Sequence, residues 1–219
     1  HDTLRKRLYS KAEGVIAQTN KAKEIYSTQF HNDNVSVIGN PIREIIDRNI
    51  RRENIVVSVG RLIDTKNFDQ LINIFNNTDN DNWKLIIVGG DAIKQKNSVT
   101  LQKMIDDLKL SEKVILAGTQ KDVESYLLKS KIFAFTSSSE GFPNVVGEAM
   151  SAGLPVVSYD CIAGPSDMIN NGENGYLIPL FDQDMFKEKL NYLMNHAEII
   201  SQMSENAKLS IKKFSTENI

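Results

Sequence analysis

The sequence predicts an α/β protein built on a Rossmann-like, doubly wound parallel sheet, and three observations lead there. Short β-rich apolar runs recur along the 219 residues. Most of them are continuously apolar rather than alternating, as expected of strands covered on both faces. The stretches between them carry helical spacing, and strand–helix–strand repetition implies parallel units joined by right-handed crossovers.

Taken in order, the strand candidates are GVIAQT (14–19), VSVI (35–38), NIVVSVG (54–60), KLIIVGG (84–90), KVILAG (113–118), KIFAFTS (131–137), PVVSYD (155–160) and GYLIP (175–179). Phe68, Leu71, Ile72 and Phe75 form an i, i+3, i+4, i+7 stripe, and Leu101, Met104, Ile105 and Leu108 repeat it. Phe186, Leu190 and Leu193 lie on one face of a helix in the tail, followed by a second helix over 197–213.

Two units are expected. Gly39-Asn40-Pro41-Ile42 ends a strand with turn chemistry, and the charge-dense stretch Arg43–Glu53 reads as a linker into the first strong strand near Asn54. Residues 1–42 hold two strands and two helices, too little for a core of their own. They read as the end of one α/β domain with its hinge, and 43–219 as a complete domain with C-terminal helices. A fragment truncated at both ends is the expectation.

Composition narrows the chemistry. Lys+Arg 26 against Asp+Glu 28 leaves a net charge of -2, so no global basic field favours nucleic acid. One cysteine, Cys161, excludes an internal disulfide framework and multi-cysteine metal sites. No apolar run approaches the roughly 18 residues that span a bilayer, and HDTLRKRLYS is charged where a signal peptide is apolar. A cytoplasmic, metal-poor protein is expected. The head places Arg5, Lys6, Arg7 and Lys11 beside Leu4, Leu8 and Tyr9, which fits a solvated helix face better than a membrane-surface one.

Ligands of an open parallel sheet bind where strands run out into helices. In SVGRLIDTKNF (58–68), Gly60 closes a strand, Arg61 follows at its edge and Lys66 falls near the next helix, a combination suited to phosphate or to two unrelated surface cations. In SSSEGFPNVVGEAMSAGLPVV (137–157), Pro143 suits the first helical position, leaving the amides of Asn144, Val145 and Val146 as free donors. Glu148 lies one turn beyond Asn144 on the same face, and Glu140 approaches from the loop; either could instead be an ordinary surface carboxylate. In the third loop, 159–179, Ser166 or Asp167 could cap a short helix, and Asn171-Gly172 and Asn174-Gly175 make turns.

Other polar groups read as structural. Asp79-Asn80-Asp81 precedes a strand, on the edge away from ligands, and Asp182-Gln183-Asp184 opens a helix with Asp182 as its cap. His1, His31 and His196 are scattered. Cys161 has no histidine near it in sequence and reads as a small residue rather than a nucleophile.

Taken together, GRL…K at 60–66, EGFPNVVGEAMSAGLPVV at 140–157 and NGENGYLI at 171–178 resemble the retaining GT-B glycosyltransferases of family 4, with Glu140 and Glu148 at the spacing of that family's E-x7-E motif. AEGVIAQT and NVSVIGNPI resemble the end of its N-terminal, acceptor-binding domain and the hinge. The resemblance implies a nucleotide-sugar donor, a UDP-sugar, bound by this C-terminal domain without metal or other cofactor. Arg61 and Lys66 would neutralise the leaving diphosphate beside Gly60. Glu140, with Gly141 and the backbone of Phe142, Pro143 and Asn144, would hold the sugar. Glu148 would take the ribose, with the Val145 and Val146 amides near the phosphates. The acceptor, a glycan or lipid-linked glycan, would enter through the missing N-terminal domain, with peripheral attachment to the inner membrane face left open. Ala163-Gly164-Pro165-Ser166-Asp167 replaces the Gly-Gly-Glu run of many members and resembles those acting on amino sugars in surface-glycan assembly. A sugar-nucleotide epimerase and a non-catalytic nucleotide-sugar-binding module are the competing readings.

Overall fold

The computed structural model describes residues 2–79, 81–162 and 164–219, with the side chains of Asp2 and Arg5 left aside. His1, Asn80 and Ala163, and the Arg5 side chain, therefore lie outside the described residues. The eight expected strands form at β1 Val15–Ala17, β2 Val35–Val37, β3 Ile55–Val59, β4 Lys84–Val88, β5 Val114–Gly118, β6 Ile132–Phe135, β7 Val156–Tyr159 and β8 Gly175–Ile178. β1 and β2 pair in parallel as a two-stranded sheet. The other six make one parallel sheet in the order β5-β4-β3-β6-β7-β8.

Continuous apolar character has its expected cause. Val56, Ile132, Ala134 and Val157 face one layer, with helices α3 (Phe68–Asn76), α4 (Asn97–Asp107) and α8 (Gln183–Asn195). Val57, Phe133, Phe135 and Val156 face the other, with α5 (Val123–Lys129), α6 (Asn144–Ser151) and α9 (Ala197–Ile211). The remaining helices are α1 Asp2–Tyr9, α2 Asn20–Phe30 and α7 Pro165–Met168. Helix α5 is absent from the sequence reading because its seven residues are too few for a resolved 3.6-residue period. The final helix stops at Ile211 and tightens into a 3₁₀ turn over Lys212–Phe214.

The stretch expected to be a linker is irregular but packed. Ile42 and Ile45 are buried, the Ile45 N–H donates to Ser151 Oγ at 2.8 Å, and the half-buried Arg52 guanidinium donates to the carbonyls of Ser130 and Ala152. Burial lowers the Arg52 pKa. Charge density within Arg43–Glu53 hid the apolar anchor Ile45.

Candidate functional site: a cleft at the sheet's switch point

The chain leaves β3 for β4 and β5 on one side, then returns to place β6 on the other. Loops leaving β3 and β6 therefore diverge, and a crevice opens between them. The β3 exit is pinned by Gly60 N–H donating to Val88 O and Leu62 N–H to Gly90 O, both at 2.9 Å. Lys66 falls near the next helix as expected: it ends a 3₁₀ turn, Asp64–Lys66, and α3 begins after Asn67 in the left-handed conformation.

The serine-rich exit of β6 is used to hold that turn. Thr136 Oγ1 donates to Lys66 O at 2.8 Å, Ser138 N–H to Thr65 O at 2.8 Å, and Asn67 Nδ2 to Thr136 O at 2.8 Å. The two loops are thereby brought together with Lys66 facing Glu140: the ammonium bonds the carboxylate, each side chain 16% exposed, and sits 5.3 Å from the centre of the Phe135 ring. Gly60 gives the lysine stem its path, since a Cβ there would lie 3.3 Å from Lys66 Cε.

A cleft of about 730 Å³ opens here, bounded by Gly60, Arg61, Lys66, Asn144, Val145 and Glu148. It also draws in groups that the sequence reading missed: Arg43 and Arg48 from the stretch before β3, and Lys121, Asp122 and Glu124 at the start of α5. Arg48 pairs with Asp122 at 2.8 Å and Glu124 at 2.6 Å, and Arg43 also pairs with Glu124. Arg61 and Lys121 are exposed and have no ion-pair partner among the described residues. Only the unanticipated α5 could have flagged the Lys121–Glu124 wall, because a helix start at a strand's carboxyl edge is a ligand-facing position.

The start of α6 differs from expectation in detail. Pro143 is the N-cap, not the first helical residue. The Asn144 N–H donates to Phe142 O and the Val146 N–H to Pro143 O, at 3.0 and 2.9 Å, leaving the Val145 N–H without a partner among the described residues. Phe142 is buried edge-on against Phe214, Val146 is fully buried, and Gly164 lies against the Pro143 ring. Of this run, Gly141, Asn144 and the half-buried Val145 and Glu148 keep exposure. In the third loop neither Ser166 nor Asp167 caps α7; Gly164 stands at the cap, and the Asp167 carboxylate accepts from Asn20 N–H at 2.8 Å and Asn20 Nδ2 at 3.2 Å.

Desolvation raises the Glu148 pKa, with the Arg43 charge opposing and Glu124 adding to the rise. A carboxyl whose folded pKa exceeds its unfolded one makes stability fall as pH climbs through that window. Glu148→Gln is therefore expected to raise the midpoint of urea unfolding near neutral pH, with the gain vanishing below the ordinary value of 4.5. An unchanged midpoint at both would show that burial imposes no cost on this carboxylate. The Cys161 thiol, 2% exposed, is pushed up to about 12, chiefly by burial and then by the Glu140 charge, which fits an inert packing residue.

Other polar features lie elsewhere. A depression of about 850 Å³ lined by Asn76, Asp79, Asp81 and Trp83 sits at the amino-terminal edge of β4. Asp79 there exchanges hydrogen bonds with Asn191 at 2.9 and 3.0 Å, and Asp182 caps α8 through Met185 N–H at 2.9 Å. Among the described residues, no helix is long and apolar enough to cross a membrane, and no group of three or more His, Cys, Asp or Glu is placed to hold a metal ion.

The model of the family "Glycosyl transferases group 1" matches residues 42–210. The amylovoran biosynthesis glycosyltransferase AmsD of Erwinia amylovora is 30% identical over 91% of this chain and 57% of its own length. The poly(ribitol-phosphate) alpha-N-acetylglucosaminyltransferase of Staphylococcus aureus is 31% identical over 96% of this chain and 43% of its own. A crystal structure of a point mutant of S. aureus TarM, solved with Fondaparinux, alpha-GlcNAc-glycerol and UDP, superposes with a TM-score of 0.89 at 29% identity, covering 99% of this chain and 44% of that one. The chain thus spans about half the length of these relatives. With the six-stranded sheet ordered as a Rossmann-like GT-B C-terminal domain, the chain belongs to the group 1 glycosyl transferases.

Proposed function

We propose that this chain is the donor-binding half of a retaining, family 4-like GT-B glycosyltransferase that takes a UDP-sugar and serves surface-polysaccharide or glycoconjugate assembly. The observation that carries this reading is the cleft at the switch point: an exposed Arg61 beside the Lys66–Glu140 pair, facing a wall with Asn144, the free Val145 amide and Glu148. Arg61 and Lys66 neutralise the departing diphosphate in place of a metal ion, an electrostatic task that needs fixed charge rather than a protein nucleophile. Glu140 and Gly141 face the sugar, and Glu148 accepts from the ribose hydroxyls. The UDP in the TarM crystal and the polysaccharide-related names of the relatives support the donor and the pathway class.

Residues 1–42 serve, in this reading, as the end of the acceptor-binding unit. A two-stranded sheet is marginal by itself, and β1 carries Ile16 at 65% exposure. The acceptor is a glycan or lipid-linked glycan reached from the cytoplasmic side, so the chain alone binds donor and transfers little. Calorimetric titration with UDP, GDP and ADP tests the reading: UDP is expected to bind with the highest affinity, and no heat from any of the three at millimolar concentration would sink it.

A further inference from the structure

Three carboxamides join β1, the hinge and the cleft in one line. Gln18, immediately after β1, donates from Nε2 to Asn40 Oδ1 at 2.5 Å. Asn40, in the hinge, donates from Nδ2 to Asn144 Oδ1 at 3.0 Å. The Asn144 NH₂ group then has no partner among the described residues, on an exposed side chain that borders the cleft. We infer that Gln18 and Asn40 are positioning residues that set Asn144 to present its N–H donors, not its carbonyl, to a bound nucleoside diphosphate; the inference rests on the donor-site reading above.

The reason is the polarity of amide chains. Each carboxamide has one accepting and one donating end, so a linear relay has two self-consistent directions, and inverting one member inverts those beyond it. In the observed direction every donor points toward the cleft. Diphosphate oxygens only accept near neutral pH, so an inverted Asn144 would face them with a carbonyl oxygen. Sugar and ribose hydroxyls both donate and accept and would tolerate either direction. The diphosphate is therefore the ligand part that reads the relay. Because Gln18 follows β1, the setting of the two-stranded sheet reaches the donor cleft through these bonds.

Gln18→Glu tests this from two amides away. A carboxylate at position 18 cannot donate, so Asn40 must turn its NH₂ toward it, and Asn144 must then turn its own NH₂ toward Asn40. Gln18→Ala removes the end of the relay without imposing a direction. UDP titrated calorimetrically into the 219-residue chain is expected to bind Gln18→Glu about tenfold more weakly than wild type, as for a lost charge-assisted hydrogen bond. Gln18→Ala should stay within about twofold, a split that a merely structural role of Gln18 would not produce. The ratio should persist at about 0.5 M salt, where the field of the added carboxylate is screened within a few Å. If Gln18→Glu lowers the melting temperature, Asn40→Asp carries the test, since two acceptors at position 40 force the same inversion of Asn144. Equal affinity in wild type and Gln18→Glu, or an equal loss in Gln18→Ala, would overturn the relay and leave the donor site standing. No UDP binding by wild type would overturn both.

Discussion

Lys66→Ala is expected to weaken UDP binding by roughly 10–100-fold, the range of a lost hydrogen bond to a charged group. The ammonium is held with its stem along Gly60 and its head between Glu140 and the Phe135 ring, so it is already fixed where β3 and β6 diverge. A fixed cation loses little side-chain freedom when an anion arrives, which makes it worth more than a mobile surface lysine. In the donor-site reading, its removal also leaves the Glu140 carboxylate facing the diphosphate uncompensated. Lys66→Ala/Glu140→Gln is therefore expected to recover part of the lost affinity, because the repulsion goes while the missing attraction stays missing. Calorimetry on both variants decides it: wild-type affinity in Lys66→Ala would place the anion elsewhere, and no recovery in the double variant would remove Glu140 from the balance.

Gly89→Ala is expected to be the most damaging single methyl group in the domain. Gly89 follows β4 at φ 149°, a conformation that disfavours any Cβ, and its N–H donates to Gly118 O at 2.9 Å. An added Cβ would lie 1.8 Å from the Gly60 carbonyl oxygen and 2.7 Å from its carbon. Those atoms are backbone, tied by the Gly60 N–H to Val88 O, so no side chain can swing aside. Backbone strain and overpacking each cost about 1–3 kcal/mol, and together they put the loss above about 3 kcal/mol. The urea midpoint should drop accordingly, and any folded fraction should bind UDP poorly, because relief of the clash moves Gly60 and with it Arg61. A stability within about 1 kcal/mol of wild type would show that the β3 and β4 exits can separate freely.

The loops holding Arg61, Lys66 and Glu140, and the helix start before Glu148, were legible in the sequence because their order follows from local signals. Buried parallel strands leave unbroken apolar runs, and Gly60, Gly141 and Pro143 mark where those runs give way to turns. What each loop residue touches was less legible. Nothing in the sequence shows that Ser137 and Ser138 bond the Thr65 carbonyl, and Val146 read as a donor although its amide is spent on Pro143. A side chain's partner across the fold leaves no mark in its own neighbourhood.

By itself, the sequence determined the α/β class, the succession of eight strands and the motif blocks at their carboxyl ends, since short-range periodicity and turn chemistry carry that information. Only the tertiary structure decided that β3 and β6 are neighbours, that Lys66 meets Glu140, that Arg43 and Arg48 fold across to α5, and that Gln18 reaches Asn144 through Asn40. Each depends on which strands lie side by side, a choice made by packing the whole sheet between its two helix layers.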